Sequence, residues 1–230
     1  MTKTNGIHHL AVATADIKQQ IEFFTDVMGM ELIALYWMHG VEGAWHGFLG
    51  LNENSALAFV QTPDIGNIEP TIGVTHAGNG GAPCAPGTMQ HLAFNVDTRE
   101  ELLEMRDRIR SHGVHVFGEI DHGFCRSIYF AGLENLTLEV STFDGAGINP
   151  AAWIDPEVVK LAGISESELA RYKSPPKWTR PSEPVAQPVE SRDKPEMAYP
   201  KEIYDLMLAA TDEMIFEQGS ETEPPIKVAG

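Results

Sequence analysis

His9-Leu10-Ala11-Val12-Ala13-Thr14-Ala15-Asp16 returns later in the chain, one residue shorter, as His91-Leu92-Ala93-Phe94-Asn95-Val96-Asp97. The sequence after each copy also matches in pattern. Behind Asp16, the apolar residues Ile17, Ile21, Phe24 and Met28 fall at helical spacing. Gly29 then supplies the left-handed residue on which a helix commonly ends. Behind Asp97, Leu102, Leu103, Met105 and Ile109 give a second helix that Gly113 closes. Strand-like segments follow each helix, at about 30–37, 45–51 and 56–62 in the first copy and about 114–120, 126–131 and 136–142 in the second. Each copy therefore reads βαβββ.

One such unit covers only one face of its sheet with a helix. Two in tandem predict an α+β body in which a cupped, eight-stranded mixed sheet carries the helices outside. The body spans 1–144, with modules at about 6–62 and 88–142. A Gly/Pro-rich loop, 63–88, joins them. A connection this long is usually functional or disordered, and it starts where it can fold over the mouth of the cup. Residues 145–230 form a separate arm. In it Asp155-Pro156 and Ser165 with Glu168 predict helices over 156–163 and 166–173. An extended proline-rich segment, 175–200, leads to a last amphipathic helix over 200–217.

All nine histidines lie at or before His122, and eleven of the fifteen prolines lie at or after Pro150. The chemistry therefore belongs to the body. The net charge of −17 excludes nucleic acid and anionic membranes as partners, because phosphate recognition needs clustered Lys and Arg. No apolar run approaches the roughly 18 residues of a membrane span. Two cysteines, Cys84 and Cys125, build no disulfide framework and fit a reducing cytoplasm.

Successive strand residues alternate faces, so His8 and His9 are expected to point opposite ways. The repeat selects His9 as the partner of His91. The last strand, Leu136-Thr137-Leu138-Glu139-Val140, holds one carboxylate in an apolar and hydroxylic run. A buried carboxylate needs a cation or a hydrogen-bonding partner. His9, His91 and Glu139 would make the facial triad of non-haem Fe(II) sites, which leaves positions open for substrate and oxygen. The same donors hold Mn, Zn, Ni or Co. The alternative is two satisfied core histidines and a Glu139 paired with an arginine such as Arg126.

With these motifs, and with Asp121-His122-Gly123-Phe124-Cys125-Arg126-Ser127-Ile128-Tyr129-Phe130, the chain resembles the vicinal oxygen chelate superfamily over residues 6–142. That superfamily includes glyoxalase I, methylmalonyl-CoA epimerase, fosfomycin-resistance proteins and type I extradiol dioxygenases. The resemblance implies His9, His91 and Glu139 as metal ligands. It also implies a fourth ligand position, occupied in glyoxalases and epimerases by Glu or Gln four residues before a proline like Pro63. Phe59 stands there and cannot ligate; Gln61 would need a shifted strand.

Three ligands resemble the sets of extradiol dioxygenases and fosfomycin-modifying enzymes, and Tyr129 stands where the extradiol enzymes carry an active-site tyrosine. The expectation is an Fe(II) ring-cleaving dioxygenase acting on a small aromatic vicinal diol. Histidine suits the acid/base role near neutral pH, with His122 and His76 as candidates. Arg126 would orient an anionic substrate or pair with Glu119 or Asp121. Phe59, Trp37, Trp45, Phe48 and Phe94 would form an apolar cup. The body's seven Lys and Arg are few for a phosphonate substrate. The alternatives are a glyoxalase- or epimerase-like lyase or isomerase, and a non-catalytic, bleomycin-resistance-like binding protein. The apolar stripe of the last helix calls for a partner surface, and a homodimer would supply one.

Overall fold

The computed structural model describes residues 3–188 and 195–227. It divides into two compact units: 4–175, and 176–230 with 1–3. The larger unit opens with β1 (His9–Ala13), α1 (Ile17–Asp26), β2 (Glu31–Trp37), β3 (Trp45–Asn52) and β4 (Ser55–Gln61). The second module follows as β5 (Leu92–Asn95), α2 (Arg99–Ser111), β6 (Ile120–Asp121), β7 (Arg126–Ala131) and β8 (Thr137–Thr142). Both modules are βαβββ, and the class is α+β with tandem modules. The eight strands are hydrogen-bonded as two four-stranded sheets, in the orders β1-β4-β3-β2 and β5-β8-β7-β6. In each sheet the first strand lies parallel to the fourth, and the other pairings are antiparallel.

Local chemistry sets the element ends. The Asp16 carboxylate accepts from the Gln19 backbone N–H and caps α1. Thr98 and Glu101 form a reciprocal capping box on α2. Gly29 and Gly113 take φ of 77° and 79° just beyond the two helices, in the region glycine adopts without a Cβ penalty. One strand differs from expectation. Residues 114–120 form only a single bridge, Val116 to Phe130, ahead of the short β6. The carbonyl of Val116 accepts instead from the Arg110 guanidinium at 3.0 Å, which diverts a ladder acceptor.

The helix-covered faces of both sheets share one core. Phe24 of α1 sits 5.4 Å from the Phe59 ring of its own sheet and 6.0 Å from Phe94 of the other. Leu57 joins it from the first module, and Leu102, Ile109, Ile128, Leu138 and Val140 from the second. Full burial of a side chain the size of Phe24 contributes about 1.5–3 kcal/mol. Polar contacts fix how the modules meet. Glu134, in the β7–β8 turn, accepts from the Ala15 backbone N–H and from Gln20 Nε2, each at 2.7 Å. Arg108 donates to the carbonyls of Val27 and Asp26 at 2.9 and 2.8 Å. The second module thus holds both ends of α1.

Residues 145–175 belong to the larger unit. They contain α3 (Pro150–Trp153), α4 (Pro156–Leu161) and α5 (Glu166–Lys173), with the expected caps at Asp155, Ser165 and Glu168. The smaller unit carries α6 (Lys201–Ala209) and α7 (Asp212–Gly219). The single helix expected over 200–217 is thus two, because Thr211 leaves helical geometry and its hydroxyl accepts from the Met214 N–H as a new N-cap. Ile203, Leu206, Ile215 and Phe216 are exposed. Of the segment expected to be extended, residues 189–194 lie outside the described residues. Among the described residues, no helix is long and apolar enough to cross a membrane.

Candidate active site on the second sheet

Strand parity decides what the open face of each sheet presents. In β8, Leu138 and Val140 enter the core, so Glu139 faces the other way. Its ladder neighbours are Ala93 on β5 and Tyr129 on β7, and His91 stands just ahead of β5. His91 Nε2 lies 3.0 Å from Glu139 Oε2. His91 Nδ1 contacts Gln90 Oε1, so with a cation between His91 and Glu139 the Nδ1 would carry the proton and Nε2 would offer its lone pair. Two donors each about 2.1 Å from one cation, at right angles, are about 3.0 Å apart. The pair therefore fits two ligands of a divalent metal.

Tyr129 and His122 stand beside this pair. His122 Nε2 is 3.1 Å from the Tyr129 hydroxyl, and the Tyr129 ring is 6.4 Å from that of His91. Burial, and then the Glu139 carboxylate, push the Tyr129 phenol above its ordinary value, so it keeps its proton at neutral pH. A cleft of about 440 Å³ surrounds the four groups, and its lining runs only from His91 to Phe143. Phe124 and Phe143 form its aromatic side. The Trp153 ring of α3 packs on Phe124 at 4.7 Å.

His9 is elsewhere. It lies on the open face of the first sheet, its ring 5.3 Å from Phe48 and 6.2 Å from His46. No group of three His, Cys, Asp or Glu among the described residues is placed to share a metal ion. His8 precedes the strand, so alternation does not separate the two histidines, and their Nδ1 atoms lie 2.9 Å apart. His46 is held below the usual histidine range by burial and then by His9. Its Nε2 is buried without a hydrogen-bond partner, while Tyr36 OH reaches its Nδ1 at 3.5 Å.

Several expected contacts are corrected. Phe59 is fully buried against Phe24 in the core and does not line the cleft. Phe94 turns its ring to the same core, though it also touches the cleft wall. The first-module position equivalent to Glu139 is Ala58, since Ala11 pairs with Ala58 as Ala93 pairs with Glu139. Gln61 Oε1 accepts from the Ile17 N–H at 2.8 Å and caps α1, so it is not a displaced ligand. Arg126 takes the second of its two expected roles: on the helix-covered side, away from the cleft, it is bound to Glu119 at 2.8 Å and Asp121 at 2.9 Å. His76 contacts Thr75 within the glycine-rich loop and does not line the cleft. Trp37 and Trp45 pair with each other at 6.0 Å and stay exposed.

Gln90 directly precedes His91, and nothing in the sequence pattern marks its contact with the imidazole. Phe124, Phe143 and Trp153 are scattered from position 124 to position 153, so nothing local groups them into one wall.

A family model described as the Glyoxalase/Bleomycin resistance protein/Dioxygenase superfamily matches residues 6–148. No curated protein matches the chain. Solved structures do. A glyoxylase/bleomycin resistance protein/dioxygenase domain from Frankia sp. EAN1pec is 12% identical, covering 61% of this chain and 98% of that one, with a TM-score of 0.47. The genomically encoded fosfomycin resistance protein FosX from Listeria monocytogenes is 20% identical, covering 61% and 94%, with a TM-score of 0.41. Lactoylglutathione lyase from Agrobacterium tumefaciens is 17% identical, covering 61% and 96%, with a TM-score of 0.43.

Proposed function

The chain belongs to the glyoxalase/bleomycin resistance protein/dioxygenase superfamily, and from that premise we propose that the second-sheet cleft is the metal site of an extradiol-type dioxygenase acting on an aromatic vicinal diol. The observation that carries the reading is the pairing of His91–Glu139 with Tyr129–His122 on one open face. Ala58 in the equivalent first-module position supports three ligands over four. His91 and Glu139 would hold a divalent cation, and His9 would come to them from the first sheet of a second copy. Fe(II) bound there supplies open positions for the diol and for oxygen, and the redox chemistry that joins them; Mn, Zn, Ni or Co would occupy the same donors.

The chain's own groups account for the rest. Phe124 and Phe143 offer flat apolar surface to a ring. The protonated Tyr129 hydroxyl donates to His122 Nε2 and accepts from a substrate hydroxyl, so it links the diol proton to the imidazole. His122 Nε2, already at the Tyr129 hydroxyl, takes up the diol proton and returns it. No Lys or Arg lines the cleft, which favours a neutral diol over a phosphonate.

Anaerobic loading with Fe(II), followed by oxygen uptake on a catechol and hydroquinone panel, tests the reaction. Uptake with at least one diol is expected, and none with any would overturn it. Mixing His9→Ala with His91→Ala protein tests the second copy. In an isologous dimer about a quarter of the sites regain all three donors, and no recovery after subunit exchange would refute the shared site. One observation favours a second reading: His91 and Glu139 already satisfy each other within one chain. A metal-free binding protein needs no more than that. Purified protein free of metal, and ligand binding unchanged by His91→Ala, would select it.

A further inference from the structure

Beside the cleft lies a second cavity, of about 870 Å³. The two share Tyr129 and His122 in their walls and extend in opposite directions along β7 and β8. The cleft runs toward Ser141 and Phe143, the second cavity toward Ala131 and Thr137. Its far wall is the glycine-rich loop, which contributes Gly78, Gly80 and Gly81. A Cβ placed on Gly80 would lie 3.6 Å from the Tyr129 ring, so the loop runs against the tyrosine with bare backbone. The opposite wall is mainly apolar, with Val116, Phe130 and Leu136 beside His115, Asn135 and Thr137.

No Asp, Glu, Lys or Arg lines this cavity, in a chain of net charge −17. An ion entering would lose its hydration with no carboxylate, ammonium or guanidinium to replace it, whereas an apolar group gains with the area it buries. Its volume, within the range of pockets that hold whole small molecules, far exceeds what one more methyl or hydroxyl would fill.

We infer that this cavity is a second subsite, which takes an uncharged, mainly apolar arm of the ligand whose polar head lies at His91 and Glu139. This inference rests on the cleft being the ligand site. It refines the substrate from a small diol to a diol bearing a bulky neutral substituent, which passes Tyr129 and lies between β7 and the glycine loop.

The test is fluorescence titration of the full-length, metal-free protein with the neutral probe N-phenylnaphthylamine. Saturable binding is expected. Gly80→Phe, which fills the cavity from the loop side, should weaken it about tenfold, and Glu139→Gln should leave it unchanged. Should circular dichroism show Gly80→Phe unfolded, Ala131→Leu narrows the same space from the strand side. Butylcatechol should displace the probe where catechol does not. Equal affinity in the wild type and the folded cavity variant would overturn the inference, as would binding that Glu139→Gln weakens equally. Failure of oxygen uptake would leave this result standing, and absence of probe binding would leave the uptake result standing.

Discussion

Ala58 and Glu139 occupy the same place in two copies of one unit. Each sits in the fourth strand, opposite the residue two beyond the module's leading histidine. Around Ala58 the open face holds His9, His46 and Phe48; around Glu139 it holds His91, Ser127 and Tyr129. Phe48 and Tyr129 are equivalents too, since one pairs with Ala58 and the other with Glu139. The scaffolds match strand for strand, while at these two equivalent positions the carboxylate and the phenol appear only in the second. The frame of a module is thus set by its core-facing residues, which both copies keep apolar. The chemistry is set by the alternate residues, which are free to diverge. On the proposed reading the donor set would be divided between sheets, with His91 and Glu139 on one and His9 on the other.

The sharpest way to break the comparison is to make the second face resemble the first. Glu139→Ala turns its ladder position into that of Ala58. Changing residues that merely orient a ligand already costs 10–100-fold in metal affinity, so removing the ligand should cost at least about a hundredfold. Equilibrium dialysis with Mn or Fe(II), read by elemental analysis, measures it. Undiminished binding would show that the carboxylate is only the partner of His91.

Tyr129→Phe completes the conversion at the neighbouring position, leaving a ring like Phe48 without its hydroxyl. Metal content should be unchanged and kcat should fall about a hundredfold, the scale of one acid/base group. A fall in metal content instead would place the tyrosine in ligand support.

How much of this was legible follows from parity. In β8 the run Leu-Thr-Leu-Glu-Val-Ser alternates cleanly, so Glu139 is assigned to the open face from the sequence alone. In β4, Ala56-Leu57-Ala58-Phe59-Val60 is apolar on both faces. The pattern there does not say which side Phe59 takes, and counting back from Pro63 lands one residue off. Only the ladder with β1 shows that Ala58 is the equivalent residue. The repeat shows that two modules exist, but not how they meet, because the contacts that decide it are non-local. Glu134 sits 119 residues from Ala15, and nothing local marks it. Gln61 is similar: its amide looks like a ligand in the sequence and caps a helix in the fold.

Glu134 offers a smaller break, aimed at the frame itself. Glu134→Ala removes the acceptor for the Ala15 N–H and strands Gln20, which is almost fully buried and whose Oε1 already lacks a partner. Leaving such groups unsatisfied costs about 1–3 kcal/mol. Urea denaturation should record that loss with the far-UV spectrum of the folded state retained. A change below a few tenths of a kcal/mol would mean that the shared core alone sets how the modules meet.

The smallest expected effect separates the two modules by pH. Glu119 accepts from Arg99 and Arg126, each at 2.8 Å, and these hydrogen bonds hold its carboxyl down at about 2, from an ordinary 4.5. A carboxylate depressed in the folded state contributes stability that is fully present above its unfolded value. That contribution declines as pH falls below about 4.5 and is gone once the pH has passed through about 2. The arginines are partly solvated, so water screens the network and its worth is under about 1 kcal/mol. The first module, which holds no arginine, has no counterpart among the described residues. Acid should therefore loosen the β6–β7 edge before the first sheet, as amide exchange at Arg126 and Ser127 compared with His46 and Gly47 would report. In Glu119→Gln that difference between the modules should disappear. If it persisted, its source would be a group other than this carboxylate.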